Sequence, residues 1–400
     1  MSERKPVMLC IASYEKGQAF LRAAAAEDLA VVLLTAEKLR DADWPRDALA
    51  ELHTMSDDSS PADVLWRVQQ LARYLHIDRV VPLDEFDLEA AALVREELRL
   101  PGMGQTTTRN FRDKLAMRFA AQRAGLLVPP FAPVLNYEDL RAFLESTPSP
   151  WLLKPRTSAS AIGIRRIENA RDLWRTLEEL GPEQVNYLLE CFIPGEVYHV
   201  DSVCWNRTLL TQAVHRYGTP PMALMQKGGV FTTQTVSRSS QDARDLCAAD
   251  ARLLPALGMV TGVTHSEYIR SESGKFYFLE TAARVGGAYI AELIEFESGI
   301  NPWVEWARLE AAMLRGEEYR LPRLREHYAG SVICLARQEH PDLSAYDAPE
   351  VVLRMNRQHH AGLIVASPSK ERIGALVEEY AWRFEQDFCT RLPPPDKPTS

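Results

Sequence analysis

Two glutamates in the stretch from Thr261 to Gly287 are predicted to share a metal ion. The segments VTHSEYIR and KFYFLE are rich in β-branched and aromatic residues and flank the polar cluster SESGK, a pattern typical of a β-hairpin. If the loop consists of the two residues Ser273 and Gly274, Glu267 lies directly across from Glu280. Like charges in that position repel, and carboxylate oxygens are ligands that Mg²⁺ prefers. A solvent-facing hairpin with scattered glutamates is the alternative interpretation.

A loop of small residues, Thr157 to Gly163, is a candidate for phosphate binding. It follows a predicted strand, Trp151 to Leu153, whose end delivers Lys154 and Arg156 into the loop. Small side chains let backbone N–H groups approach phosphate oxygens, and a lysine beside them supplies charge. The sequence is not a Walker A motif, which needs GxxxxGK[ST] before a helix. We expect a flap between two antiparallel strands.

A third cation, Lys114, is predicted in the first turn of a helix from Phe111 to Ala124, capped by a residue in the range 108–110. A lone lysine on a helix is ordinarily a solvated charge, so Lys114 is a candidate site residue only in combination with other residues. Gly286 and Gly287 precede another predicted helix, whose free N–H groups suit an anion.

An acidic turn, Asp84 to Asp87, follows the predicted strand Arg79 to Leu83. Ligands gather at the carboxyl ends of parallel strands, so this turn is a candidate for substrate contact. The alternative is that its acids complement the dipole of the next helix.

The elements that position these residues predict an α/β protein of more than one domain, since 400 residues are too many for a single core. Strand, helix and strand follow one another from Val7 to Leu34, which predicts the start of a parallel sheet. The first turn lacks the GxGxxG fingerprint of dinucleotide-binding domains.

Composition limits the partners that the chain can have. The net charge of -9 argues against nucleic acid. No run of 18 apolar residues predicts a membrane span, and the N-terminus has no signal-peptide pattern, so we expect a cytoplasmic protein. The six cysteines are widely spaced and predict reduced thiols rather than disulfides or a zinc site.

Taken together, the motifs resemble those of the ATP-grasp superfamily, and within it the carboxylate-amine ligases that include L-amino acid ligases and related dipeptide-forming enzymes. The resemblance covers roughly residues 80 to 300. It rests on five motifs in family order: RDK around Lys114, LLKPR around Lys154, LLECFIPGE from Leu188 to Glu196, HSE from His265 to Glu267, and LETAARVGG from Leu279 to Gly287.

The resemblance implies a Rossmann-like N-terminal domain with a parallel sheet, followed by the two-lobed ATP-grasp fold. The expected divisions are an N-terminal α/β domain at 1–105, a small lobe with the phosphate loop at 106–185, a large lobe with the metal site at 186–320, a C-terminal closing α/β lobe at 321–390, and a disordered tail at 391–400.

The resemblance also implies a role for each matching residue. ATP would be bound by a set of side chains and backbone groups comprising Lys114, Lys154, Ser158, Ser160, Gly163, Glu190, Phe192, Ile193 and Glu196. In that set the lysines meet the α- and β-phosphates, the segment from Glu190 meets adenine, and Glu196 holds the ribose. Glu267 and Glu280 would bind Mg²⁺, with Mn²⁺ as an alternative. The residues expected to act in catalysis are Arg284, Lys154 and His265.

The implied reaction is attack of a carboxylate on the γ-phosphate of ATP, followed by attack of an amine on the acyl phosphate to form an amide or peptide bond. The substrates would be a small carboxylate and a small amine, and the enzyme a homodimer by default. Asp84, Glu85, His199, Asp201 and Tyr289 are further candidates for the substrate pocket.

One residue departs from the family pattern. Ala282 stands where the run E-x-N-x-R-x-G-G has an asparagine that helps to bind a second metal ion, and alanine cannot be a ligand. Either Glu280 bridges two ions with the help of extra water, or one of the ions is bound weakly. Ala282 also leaves open a non-catalytic protein that binds ATP, and an ATP-dependent carboxylase of the biotin carboxylase type stays open because it shares the same fold.

Overall fold

The computed structural model of the chain describes residues 4–159 and 161–390, and within these ranges the strands form three sheets. Ser160 and the predicted disordered tail at 391–400 lie outside the described residues. No helix in the described ranges is both long and apolar enough to cross a membrane.

The N-terminal sheet is parallel, as the sequence predicts. Its strands lie in the order β3-β2-β1-β4, and the residues of β1, β2 and β4 are almost all buried, whereas the edge strand β3 is mostly half-buried. This part of the chain comprises β1 (Val7–Ala12), α1 (Gln18–Ala26), β2 (Ala30–Ala36), β3 (Glu51–Met55), α2 (Pro61–Leu71), β4 (Ile77–Pro82) and α3 (Leu88–Glu97). The acidic turn after β4 lies at the carboxyl end of the sheet, beside the loop that follows β1.

A small antiparallel sheet follows, with the strand order β5-β8-β6-β7. This part comprises α4 (Gln105–Arg109), α5 (Lys114–Arg123), β5 (Phe131–Pro133), α6 (Tyr137–Ser146), β6 (Trp151–Pro155), β7 (Arg165–Ile167), α7 (Ala170–Leu180) and β8 (Tyr187–Cys191). The small-residue loop connects the antiparallel pair β6 and β7, as expected of a flap.

The expected start of the helix that carries Lys114 was wrong. A helix from Phe111 capped in the range 108–110 does not form, because the chain makes a separate short helix, α4, and then turns. Asp113 is the N-cap of α5, and its side chain accepts a hydrogen bond from the Leu115 N–H at 3.0 Å. Lys114 is therefore the first residue of α5.

The remaining strands form one sheet in the order β13-β12-β9-β10-β11-β14-β16-β15. This part comprises β9 (Gly195–Trp205), β10 (Thr208–Tyr217), α8 (Pro221–Lys227), β11 (Phe231–Thr235), α9 (Gln241–Leu257), β12 (Gly262–Ser271), β13 (Phe276–Ala282), α10 (Ile290–Ser298), α11 (Pro302–Arg315), β14 (Tyr328–Leu335), β15 (Val351–Arg354), β16 (His360–Ser367) and α12 (Lys370–Asp387). The predicted boundary between 320 and 321 falls before β14, which extends this same sheet. The domain boundaries stay a prediction.

The hairpin of β12 and β13 pairs as predicted at its base but not at its tip. Glu267 is paired with Glu280, while Tyr268 is paired with Phe278, so Leu279 is an extra residue in β13. At the tip the Ser271 N–H bonds the Lys275 carbonyl at 2.9 Å, which makes the loop three residues long. The expected two-residue loop was therefore wrong. The longer loop and the bulge shift the register in opposite directions, and the glutamates still face each other.

Candidate active site

A cavity of about 600 Å³ lies between the small sheet and the large sheet. Its wall is formed by β6, β8 and the flap on one side, and by β9 to β14 on the other. Most of the predicted site residues line it, namely Lys114, Lys154, Ser158, Glu190, Phe192, Ile193, His265, Glu267, Glu280 and Arg284. Among the described residues of the prediction, Gly163 and Glu196 do not line the cavity, and neither do the further pocket candidates Asp84, Glu85, His199, Asp201 and Tyr289. Glu196 is half exposed, and its carboxylate pairs with Arg216 at 2.7 Å.

Lys114 connects the flap to the hairpin. Its Nζ lies 2.8 Å from Glu280 Oε2 and donates a hydrogen bond to the Ser158 carbonyl at 2.5 Å. Its backbone N–H bonds the Arg156 carbonyl at 2.9 Å, which ties the start of α5 to the end of β6. One ammonium group therefore contacts both the predicted phosphate loop and a predicted metal ligand.

Lys154 is held by a fully buried carboxylate. Its Nζ lies 2.7 Å from Glu190 Oε2, and the other oxygen of Glu190 pairs with the Arg118 guanidinium. Burial alone would raise the pKa of Glu190, but Arg118 and Lys154 outweigh it and hold the pKa at about 2. Glu190 is thus a buried carboxylate that stays charged and holds the Lys154 ammonium group in place.

Arg284, which lines the cavity, pairs with Glu85 of the acidic turn, so the N-terminal domain contacts a residue of the site. The Arg284 Nε donates to Glu85 Oε2 at 2.8 Å, and Arg112 lies 3.5 Å from the other oxygen. Burial would raise the pKa of Glu85, but the two guanidinium groups lower it to about 2. Asp84 accepts a hydrogen bond from Lys16 Nζ at 2.5 Å.

A chain of buried polar side chains lies behind the paired glutamates. Asp201 accepts a hydrogen bond from His265 Nδ1 at 2.8 Å on one oxygen and from His199 Nδ1 at 2.6 Å on the other. Glu267 accepts one from the Tyr217 hydroxyl at 3.0 Å. Burial alone would lower the pKa of His265, but the Asp201 carboxylate outweighs it and raises the pKa to about 9. His199 has a pKa lowered to about 4, chiefly by burial.

Two important residues of this site were absent from the sequence prediction. Tyr217 lies at the end of a strand whose role became clear only from its cross-strand neighbours. Arg118 is one helical turn after Lys114, and side chains at that spacing share a helix face, so the spacing was a usable signal. Tyr289, a predicted pocket candidate, precedes α10 in the left-handed conformation with φ 58°.

No family model matches the chain. Its sequence is 25% identical over 232 residues to the L-arginine-specific L-amino acid ligase of Bacillus subtilis, an alignment that covers 56% of this chain and 56% of the relative. The chain thus spans little more than half the length of that curated relative.

Solved structures resemble the chain over nearly its whole length. The crystal structure of an L-amino acid ligase from Bacillus licheniformis superposes with a TM-score of 0.74 at 19% identity, covering 97% of this chain and 99% of the other. The biotin carboxylase domain of the 2-oxoglutarate carboxylase of Hydrogenobacter thermophilus, in complex with MgADP, ADP and bicarbonate, gives 0.69 at 17% identity, covering 90% and 86%. The chain therefore has the ATP-grasp fold, and its sequence is similar to that of an L-amino acid ligase.

Proposed function

We propose that this protein is an ATP-dependent carboxylate-amine ligase that forms an amide or peptide bond between amino acid-like substrates and releases ADP and phosphate. The observation that carries the proposal is the grouping of Lys114, Lys154 and Arg284 with Glu267 and Glu280 around one cavity. Phosphoryl transfer is catalysed by positioning and charge neutralisation, and these are the residue types that supply both.

The cavity has the size and the lining that a nucleotide requires. Its volume of about 600 Å³ lies within the range of small-molecule sites. Phe192 and Ile193 offer apolar contacts for adenine where β8 ends, and the two lysines lie beside the flap, where phosphates would bind. The similarity to a carboxylase domain in complex with MgADP supports this placement. Glu196 at the rim would reach the ribose after it leaves Arg216.

The paired glutamates fit a divalent cation. Glu280 is paired with Lys114, and Glu267 lies 3.6 Å from His265, so each carboxylate already faces a positive group. Mg²⁺, or Mn²⁺ in its place, would neutralise phosphate charge when bound between the two. Lys114 would then be free to turn from Glu280 to the phosphates.

The reaction needs no nucleophile from the protein. An oxygen of the substrate carboxylate attacks the γ-phosphorus, and the bond from that phosphorus to the ADP oxygen breaks. The amine nitrogen then attacks the acyl carbon, phosphate leaves, and the ammonium group so formed gives up a proton. Lys154 and Arg284 hold the charge that develops on the transferred group. Glu85 fixes the position of the Arg284 guanidinium at the cavity wall.

The proposal is tested by measuring ADP release with pairs of amino acids, other carboxylates and amines, with hydroxylamine present to trap the acyl phosphate. We expect ADP and a hydroxamate with at least one carboxylate. Formation of AMP and pyrophosphate would refute the ATP-grasp mechanism. ADP release that depends on bicarbonate alone would indicate the carboxylase alternative, and ATP binding without turnover in any pair would indicate a non-catalytic protein.

A matched pair of variants tests the metal residues. Glu280→Gln should reduce turnover by at least about 100-fold, because it removes a charged ligand of the cation that neutralises the transferred phosphoryl group. Glu272→Gln, at the exposed tip of the same hairpin, makes the same chemical change outside the cavity and should retain activity. Full activity of Glu280→Gln would contradict the metal assignment.

A further inference from the structure

Three polar atoms converge beside the hairpin glutamates. Glu267 Oε1 lies 3.0 Å from the Tyr217 hydroxyl and 3.6 Å from His265 Nε2, and the last two are 3.4 Å apart. All three residues line the cavity, and Tyr217 and His265 are buried. A distance of 3.6 Å is too long for a good hydrogen bond between the imidazole and the carboxylate.

The orientation of His265 is fixed from behind. Its Nδ1 donates to Asp201, so Nε2 is the nitrogen that faces Glu267. Gly286 packs against the other side of the ring, where an added Cβ would lie 3.0 Å from Nδ1. Histidines that bind metals almost always donate their second ring nitrogen to a carboxylate or a carbonyl in this way.

The Nδ1 side of the ring is not a competing metal site. His199, Asp201 and His265 place three potential ligands close together. Each oxygen of Asp201 is, however, already at hydrogen-bond distance from one Nδ1 atom, at 2.6 and 2.8 Å. A cation there would have to break both hydrogen bonds of Asp201. On the Nε2 side, Nε2 and Glu267 Oε1 are 3.6 Å apart and no hydrogen bond between these two atoms has to be broken.

The spacing on the Nε2 side suits a shared ion. Neighbouring ligand atoms of an octahedral ion with bonds of about 2.1 Å lie about 3.0 Å apart, so Nε2 and Oε1 would need to approach by only about half an ångström to share it. We propose that His265 Nε2, after losing its proton, binds the same divalent cation as Glu267, so that the bound ion takes the place of the proton that faces this carboxylate. The inference rests on the nucleotide and metal site of the proposed function.

A histidine ligand would also compensate for the asparagine ligand that Ala282 replaces. Ala282 is paired directly with His265 across the hairpin, so the alanine leaves space beside the imidazole on the same face. A nitrogen ligand together with carboxylates favours first-row cations over Mg²⁺, since imidazole binds Mg²⁺ poorly. The site should therefore select Mn²⁺ or Co²⁺ at equal concentrations.

Pulsed electron paramagnetic resonance of bound Mn²⁺ tests the inference without turnover. The full-length protein is loaded with Mn²⁺ and the β,γ-methylene analogue of ATP, which has no nitrogen in its phosphate chain. We expect nitrogen modulation from a coordinated imidazole, which His265→Gln abolishes. His360→Gln removes another histidine of the same cavity and should retain the signal.

Asp201→Asn is a second variant, in which His265 remains but loses its charged partner. It should keep the nitrogen signal and bind Mn²⁺ about 10- to 100-fold more weakly. If Mn²⁺ binds, depends on Glu280, and shows no nitrogen modulation, the assignment of His265 is overturned while the proposed function stands. If no Mn²⁺ binds with the nucleotide analogue, both are overturned.

Discussion

Replacing Lys114 with methionine should strengthen the binding of a divalent cation when nucleotide is absent. In the structure the Lys114 ammonium group is paired with the Glu280 carboxylate, and the side chains of Lys114 and Glu280 are 10% and 31% exposed, respectively. A cation must displace it before it can use that carboxylate. A hydrogen bond between charged groups contributes about 1.5 to 3 kcal/mol, and the partial exposure of Glu280 favours the lower end. About 1.4 kcal/mol corresponds to a tenfold change in affinity, so the Kd for Mn²⁺ should fall about tenfold.

The assay is a titration of the nucleotide-free protein with Mn²⁺, measured by isothermal calorimetry. Lys275→Met is the matched control, because it removes the same charge from the exposed tip of the hairpin and should change the Kd less than about twofold. With the ATP analogue present, Lys114→Met should instead raise the Kd for Mn²⁺, since the variant loses a phosphate contact. Unchanged or weaker Mn²⁺ binding without nucleotide would refute the competition between lysine and metal.

Three other outcomes follow from the packing. Arg118→Met should lower the free energy of unfolding by about 3 to 5 kcal/mol, because it leaves the fully buried Glu190 with only one partner; denaturant unfolding measures this, and a loss below 1 kcal/mol would contradict it. Burial raises the pKa of Asp87 to about 7. Between about pH 4 and 7 the Asp87 carboxyl is therefore protonated in the native state and ionised in the unfolded chain. Stability should therefore fall as the pH rises through that window, by at most about 1.4 kcal/mol per unit of pKa difference, and Asp87→Asn should flatten the profile of thermal midpoints. Gly195→Ala should cost about 2 kcal/mol or more, since the new Cβ would lie 2.0 Å from the Arg270 carbonyl oxygen, and a thermal midpoint equal to that of the original protein would show that β9 can shift there.

The sequence predicted the fold where local patterns determine it. The parallel start of the chain, the flap between β6 and β7, and the opposition of Glu267 and Glu280 all follow from alternation, turn residues and motif order. The tip of the hairpin was harder, because SESGK accommodates a two-residue or a three-residue loop. Gly274 adopts a φ of 79°, which the longer loop with its left-handed residue requires.

Long-range pairing explains what the sequence could not predict. Arg118 reads as a surface residue of an amphipathic helix, yet it is fully buried and contacts β8 and the carbonyl of Leu279. Tyr217 approaches Glu267 only because β10, β9 and β12 are neighbours in the sheet. No local pattern contains that order of strands.

The opposition of the two metal residues does not depend on the details of the turn. Because Tyr268 is paired with Phe278, deleting the extra residue Leu279 would remove the bulge and still leave Glu280 opposite Glu267, and residues added between Glu272 and Gly274 would likewise leave their opposition unchanged. Beside the bulge, the Phe278 N–H bonds the Leu127 carbonyl at 2.9 Å, which covers part of the free edge of β13. The tip is thus a place where related chains can vary, or where a tag can be inserted, without altering the chemistry at its base.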